Sequence, residues 1–416
     1  SDKGELMKKI LALGLAATLS AAGVAAFAGC GAEDEFVVGA IYINSQTDTA
    51  GYTYAHHNGI TKAMEQLKLD AKTQLKIVDN VAEDTETVKK AVDTLVGQGA
   101  DIVFGISFGY IDALEEKATE YKDIAFSHAT GYKSNDKNFN NYFGRIYQAR
   151  YLAGVVSGLK AKALDANASS YNLGYVSAYT TAYAETCSGI NAYALGAQSI
   201  LGDSVTVKVK KLGEWGNETN EKAYAEDLLT NHGCNIIAQH CDSAQPQIAA
   251  AAANKFGCGY NSDMTKDAPK GHLTAPIWNW DVYYNKAISA AKKNFDEYKA
   301  QGGNKADYMG KYVETVGGNY YGGLKEGFVD ISALNAATVT EDAQKYVDAI
   351  KALIVAGTWD VFSGKALTYT VGENGAITVT PVDSVLTKND NTPAGAVTDA
   401  VITGSMDYLV KGVTEV

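Results

Sequence analysis

From residue 36 onward, short apolar runs alternate with segments of helical period, and this alternation limits the folds open to the chain. Residues 36–43, FVVGAIYI, form an apolar run of strand length. In 59–67, Ile60, Ala63, Met64 and Leu67 recur at helical spacing. Residues 75–80 predict a strand, and 86–99 a helix closing on glycine. A strand over 101–106, a helix over 111–121 and a strand over 123–129 continue the series. Repeated strand–helix units predict a parallel sheet with helices on both faces.

The same plan restarts at Tyr171. Strands are expected over 171–178, 204–212 and 234–240, with helices over 185–200, 224–231 and 244–257. A short strand over 258–263 runs into a loop. Residues 273–280 open another strand, a long helix follows through Tyr298, and the tail carries a helix over 342–357 and strand-like runs at 365–371 and 376–382. At 416 residues the chain has room for two or three domains. Two α/β halves imply a cleft between them, and open parallel sheets bind ligands beyond the carboxyl ends of their strands.

The segments leaving those strands are aromatic and neutral-polar. They include Asn44, Tyr52, Thr53, Tyr54, Ser107, Phe108, Tyr110, Ser243, Asn261, Trp278, Trp280 and Tyr283, with Asp242 and Asp263 as the few acids. Flat aromatic faces suit a planar or apolar ligand, and hydrogen-bonding groups around them fix its orientation. Packing of single aromatics into the lobe cores is the competing expectation.

One exit resembles a catalytic motif. Gly105-Ile106-Ser107-Phe108-Gly109 follows a strand and precedes a helix, as a serine-hydrolase nucleophile does. Asp242 or Asp263 and then His272 complete the required chain order, but six histidines in a long chain satisfy that order cheaply. The alternative is a serine hydroxyl and free backbone N–H groups offered to a ligand at a helix start.

The N-terminal region reads as a targeting signal. Met7, Lys8 and Lys9 precede an apolar run from Ile10 to Ala28, then Gly29 and Cys30. This pattern is that of a secretory signal over residues 7–30. Phe27-Ala28-Gly29-Cys30 resembles a bacterial lipobox with Phe27 where leucine is usual, so Cys30 is the expected lipidation site and membrane anchor. The chain carries a formal charge of −12, which argues against nucleic-acid partners. Cys187, Cys234, Cys241 and Cys258 form no C-x-x-C pair, and His232, Cys234, His240 and Cys241 match no zinc spacing. No metal or cofactor is expected.

Longer stretches carry a more specific resemblance. FGISFGYIDALEEKATEYKDIAFSHATGYK, YFGRIYQARYLAGVVSG, AETCSGINAYALGA, IIAQHCDSAQPQIAA, GYNSDM, HLTAPIWNWDVYY and GGLKEGFVDIS resemble the basic membrane protein family, lipoproteins that serve as substrate-binding proteins of ABC importers. The resemblance runs from about Val37 to Ile331. It implies the type I periplasmic-binding-protein fold: two Rossmann-like lobes, a hinge, and a ligand cleft between the lobes. It also implies permease and ATPase partners and, as in several members, a purine nucleoside ligand. The lobes are expected over 36–144 plus 276–312 and over 145–275 plus 313–416.

The family's first loop implies Tyr52 as the residue stacking on a base, and Ser107-Phe108-Gly109 implies Phe108 as a second wall. The family's Gly-x-Asp-x-Asp exit is here Gly259-Tyr260-Asn261-Ser262-Asp263, with Asn261 at an acidic position. Trp278 stands where nucleoside-binding members place a lysine. Charged partners suit ribose hydroxyls, so these departures favour a free base such as adenine over an intact nucleoside. The expected ligand-binding set is Asn44, Tyr52, Thr53, Ser107, Phe108, Asp242, Ser243, Asn261, Asp263 and Trp278, with no catalytic residue. A serine hydrolase, a sugar-binding receptor and a signalling receptor of the same fold are the alternatives.

Overall fold

A computed structural model describes residues 35–49 and 51–416. The signal and the lipidation site expected at Cys30 lie outside the described residues. The strands are β1 (Val38–Tyr42), β2 (Leu75–Val78), β3 (Ile102–Ile106), β4 (Ala125–Ala129), β5 (Phe139–Gly144), β6 (Tyr171–Ser177), β7 (Val205–Lys211) and β8 (Ile236–His240). They continue with β9 (Phe256–Cys258), β10 (His272–Thr274), β11 (Pro276–Trp278), β12 (Asn319–Gly322), β13 (Val329–Ile331), β14 (Lys365–Val371), β15 (Ile377–Asp383) and β16 (Val413–Glu415).

Two six-stranded sheets organise the molecule, in the orders β12-β5-β4-β3-β1-β2 and β10-β9-β8-β6-β7-β16. Every pairing within them is parallel. The strand order reverses at β1/β3 in the first sheet and at β6/β8 in the second, so both lobes repeat one plan. β1 and β3 are buried along their whole length, which explains why their sequences are apolar without alternation.

The crossover helices follow from ordinary local signals. In Thr85–Gly97, Asp84 caps the start by accepting from the Thr87 N–H at 2.9 Å. Val88, Ala91, Val92 and Leu95 face the sheet, and the chain leaves through Gly99 at φ 86°. The helix Ile146–Leu164 differs, being apolar and buried on nearly all sides. It packs on Ala184–Leu201 at backbone distance: a Cβ on Gly154 would lie 2.0 Å from the Tyr193 carbonyl oxygen, and one on Gly196 would lie 2.1 Å from that of Tyr151.

The chain passes between the sheets three times: from β5 into Ile146–Leu164, from β10 through β11 into the helix Trp280–Gln301, and from β12 to β13. β11 and β13 pair antiparallel between the lobes. β12 pairs with β5, Asn319 opposite Asn141, and so belongs to the first sheet although it follows residue 312, where the first lobe was expected to end. The tail joins the second lobe, with Val413 of β16 opposite Val207 of β7, while β14 and β15 form a separate hairpin. Among the described residues, no helix is long and apolar enough to cross a membrane.

Candidate functional site

The strand exits at the two reversal points define the candidate site, and its residues divide by whether their hydrogen bonds are already made. At the β3 exit, the Ser107 hydroxyl donates to the Glu83 carboxylate, which also accepts the Gly109 N–H at 2.9 Å. The buried His128 donates from Nε2 to the Ser107 carbonyl at 2.7 Å, not to the hydroxyl. His272, the histidine needed for a hydrolase order, lies on an edge strand of the other sheet. There its Nδ1 is 3.2 Å from the Thr265 hydroxyl and 3.7 Å from Asp263.

The β8 exit repeats the β3 arrangement. The Ser243 hydroxyl donates to Glu221, and the Ser243 N–H bonds the same carboxylate oxygen at 3.1 Å. Other candidates are similarly engaged. The Thr53 hydroxyl accepts the Asn44 N–H at 3.3 Å, and Asp263 accepts the Thr265 N–H at 2.8 Å in a local turn. Trp278, expected as an open stacking wall, is 8% exposed. It lies parallel to Trp280 at 4.6 Å, and its indole N–H donates to the Tyr260 hydroxyl at 3.1 Å. A tryptophan on a strand that crosses between the sheets is drawn into the packing of the crossing itself.

Other candidates keep their groups free. Among the described residues, the side chains of Asn44, Asp242 and Asn261 make no hydrogen bond within the chain. Asn261 holds a left-handed backbone, φ 68°, which asparagine tolerates, while its N–H bonds the Pro276 carbonyl at 3.0 Å. Phe108 is 54% exposed, with Tyr132 beside it at 6.3 Å. Tyr52 is half-buried in the first turn of the helix Gly51–Gln66, with its ring 4.4 Å from His56.

Sequence reading missed a second group, on the second lobe. Trp215, in the loop after β7, is 40% exposed and contacts Tyr179, Tyr183 and His240. Its carbonyl accepts the Asp242 N–H at 3.2 Å. Glu185, at the start of Ala184–Leu201, lies 3.5 Å from His240 Nε2. Burial pushes the Asp242 carboxyl up to about 6, helped by Glu221 and Glu185. Burial holds His240 down at about 4, with the nearby Arg150 adding to the effect. Burial also raises the Tyr52 hydroxyl, and the charges of Glu185 and Glu83 add to that rise, so Tyr52 on the first lobe feels a carboxylate of the second. No strand or helix periodicity marks Trp215 or Glu185. The available signal was position alone, an exposed aromatic and an acid beyond the ends of β7 and β6.

A chain of rings joins the two walls beneath the site. Tyr52 meets His56, which meets Trp280 at 3.9 Å, and Trp280 meets Trp278. The bond from Trp278 to Tyr260 continues the chain, and the Tyr260 ring lies 4.6 Å from His240. The buried thiols Cys187, Cys234, Cys241 and Cys258 are unpaired. Among the described residues, no group of three or more His, Cys, Asp or Glu is placed to hold a metal.

Twin parallel sheets, three crossings and polar groups held ready at the strand ends define a two-lobed solute-binding protein. The chain belongs to the Bmp family, described as ABC transporter substrate-binding protein PnrA-like, which it matches over residues 36–360. It is 32% identical over 334 residues to a purine-binding protein of Brucella abortus, covering 80% of this chain and 85% of that one. It is 30% identical over 266 residues to a Haloferax volcanii protein named as an ABC transporter glucose-binding protein, covering 64% of this chain and 60% of the other. An ABC transporter solute-binding protein of Aeropyrum pernix has the same fold, with a TM-score of 0.58 at 15% identity, covering 82% of this chain and 94% of that chain. The family and the Brucella abortus relative make this chain a substrate-binding component of an ABC transporter, and such proteins work outside the cytoplasm.

Proposed function

We propose that this chain captures a purine-type ligand, a free base or a nucleoside, between its two lobes and delivers it to an ABC permease and ATPase. The observation that carries this reading is the pairing of aromatic faces with unspent hydrogen-bonding groups at the strand exits. Tyr52 and Phe108 from the first lobe and Trp215 from the second would bound a flat ring. Asn44, Asp242, Asn261 and Glu185 would bond its edge. Carboxylates accept the amino and ring N–H donors of a purine, and stacking accepts any flat heterocycle. The 32% identity to a purine-binding protein supports the same class.

Of the residues expected from sequence, Ser107, Thr53, Ser243, Asp263 and Trp278 act in this account as supports that hold the exits in place. Contacts from both lobes would favour the closed form, because the ligand then has more to gain from closure than from the open state. The lobes are proposed to move about the three crossings, with 36–144 and 276–322 in the first and the remainder in the second. Membrane attachment through a lipidated Cys30 and the absence of catalysis by Ser107 belong to the same proposal.

A thermal-shift panel of bases, nucleosides and sugars tests it. Stabilisation by purines is expected. Stabilisation by glucose with no response to any purine would contradict the ligand assignment and favour the sugar-binding alternative, which the Haloferax volcanii relative motivates.

A further inference from the structure

Beneath the second-lobe wall lies a cation whose bonds are mostly unmade. Arg150, on the helix Ile146–Leu164, is 1% exposed. Its guanidinium lies 4.1 Å from the centre of the Tyr260 ring, and Nη1 donates to the Gln239 carbonyl at 2.5 Å. Nε and Nη2 are buried without a partner, and no carboxylate pairs with Arg150 among the described residues. A buried guanidinium with open donors is costly unless acceptors complete it.

Neighbouring groups share the deficit. His240 Nδ1 and the Tyr175 hydroxyl are also buried without partners. Ser177 and His240 are register partners, as are Tyr175 and Ala238, so Tyr175 and His240 lie on one face of the sheet. Tyr175 lies 6.0 Å from the Arg150 guanidinium, and His240 touches Tyr260, which Arg150 covers. Three elements thus bring unspent polar groups to the end of the sheet from which the candidate site opens.

We propose that Arg150 forms the acceptor-reading end of the ligand site, donating from its open Nε and Nη2 to a ring nitrogen or oxo group of a neutral heterocycle. This rests on the purine reading above and assigns the opposite edge, rich in N–H donors, to Glu185 and Asp242. Neutrality follows from the surroundings. Glu185, Asp242 and Glu221 crowd the same exit, so a ligand carboxylate or phosphate meets repulsion that a ring nitrogen or oxo group does not. Nucleotides are therefore excluded from the substrate class, and bases with adjacent donor and acceptor edges are included.

Calorimetric titration of the full chain with adenine, hypoxanthine and the 1-, 3- and 7-deaza analogues of adenine tests this. The unchanged protein should bind at least one deaza analogue about tenfold more weakly than adenine, because a buried donor is left without its acceptor. In Arg150→Met that difference should shrink to within about twofold. A general loss of structure cannot produce such a change, since it weakens all ligands alike. Arg150→Lys keeps the buried charge but lacks the planar fork, and should reduce the difference partly. It also serves if the methionine variant does not fold. The proposal is overturned if all deaza analogues bind the unchanged protein as tightly as adenine, or if the discrimination persists in both variants. Absence of binding by any purine would instead overturn the purine reading and this inference with it.

Discussion

The β3 exit of the first lobe and the β8 exit of the second are built on one plan and put to different use. Each has a serine at the strand end donating to a glutamate near the start of the preceding crossover helix: Ser107 to Glu83, just before Thr85–Gly97, and Ser243 to Glu221, in the first turn of Glu218–Thr230. The surroundings differ. Glu83 is exposed, and Phe108 beside it offers a bare aromatic face. Glu221 is fully buried; its charge acts on Asp242 and on Cys241, and Cys241 also feels the buried Arg150. The shared clamp fixes the backbone, while the interacting acids and the buried arginine gather at the second exit. The lesson is that matched topology sets where a ligand can sit, and the asymmetry of buried polar groups sets what it can be.

Breaking the two clamps separately should give the largest contrast. Glu221→Ala removes a fully buried carboxylate, strands the half-buried Ser243 hydroxyl and N–H together with the Asn217 N–H, and should cost about 3 kcal/mol of unfolding free energy in denaturant titration. Glu83→Ala, at a solvated position, should cost less than about 1 kcal/mol. Equal losses would mean that the exits do not differ in burial as described.

The next contrast concerns the walls. Trp215→Ala and Tyr52→Ala should each weaken purine binding by about 2 kcal/mol, roughly thirtyfold, as loss of one stacking face does. Trp215 is more exposed, so its loss should leave the melting temperature nearly unchanged. Trp278→Phe, by contrast, should lower stability, because it removes a buried indole and leaves the Tyr260 hydroxyl without its donor. Calorimetry and thermal unfolding on the same samples separate these effects.

A smaller effect concerns pH. The Asp242 carboxyl stands at about 6 in the folded chain against an ordinary 3.8. Below 3.8 it is protonated in both states and adds nothing. As pH rises from there through about 6, the unfolded chain gives up the proton more readily and folding stability falls. Asp242→Asn should therefore raise stability at pH 7 by on the order of 1 kcal/mol, and not at pH 4. Binding should run the other way. A carboxylate that accepts ligand N–H groups is lost as pH falls through about 6, so affinity should drop below that pH in the unchanged protein and much less in Asp242→Asn.

Much of the fold could be read in the chain, because parallel strands buried on both faces are uninterrupted apolar runs and crossover helices keep one apolar stripe. β1, β3 and the helix Thr85–Gly97 are plain cases. The helix Ile146–Leu164 was harder to read, since a helix buried on nearly all sides has no stripe. β12 was also missed, because its membership in the first sheet is decided by pairing with β5 and not by its own short sequence.

The site was legible only in outline. Strand exits are visible in sequence, but whether a polar side chain there is free or spent depends on partners far along the chain, such as Glu221 for Ser243 and Tyr260 for Trp278. Arg150 lies in the second turn of a helix with no apolar stripe, and nothing local reveals that its head reaches the Gln239 carbonyl.

The most direct test of the central claim is a crystal structure of the protein grown with adenine. A base held between Tyr52 and Trp215, with its edge bonded by groups from both lobes, is the expected result. A base bound elsewhere, or a cleft that stays empty at saturating adenine while glucose occupies it, would contradict the account.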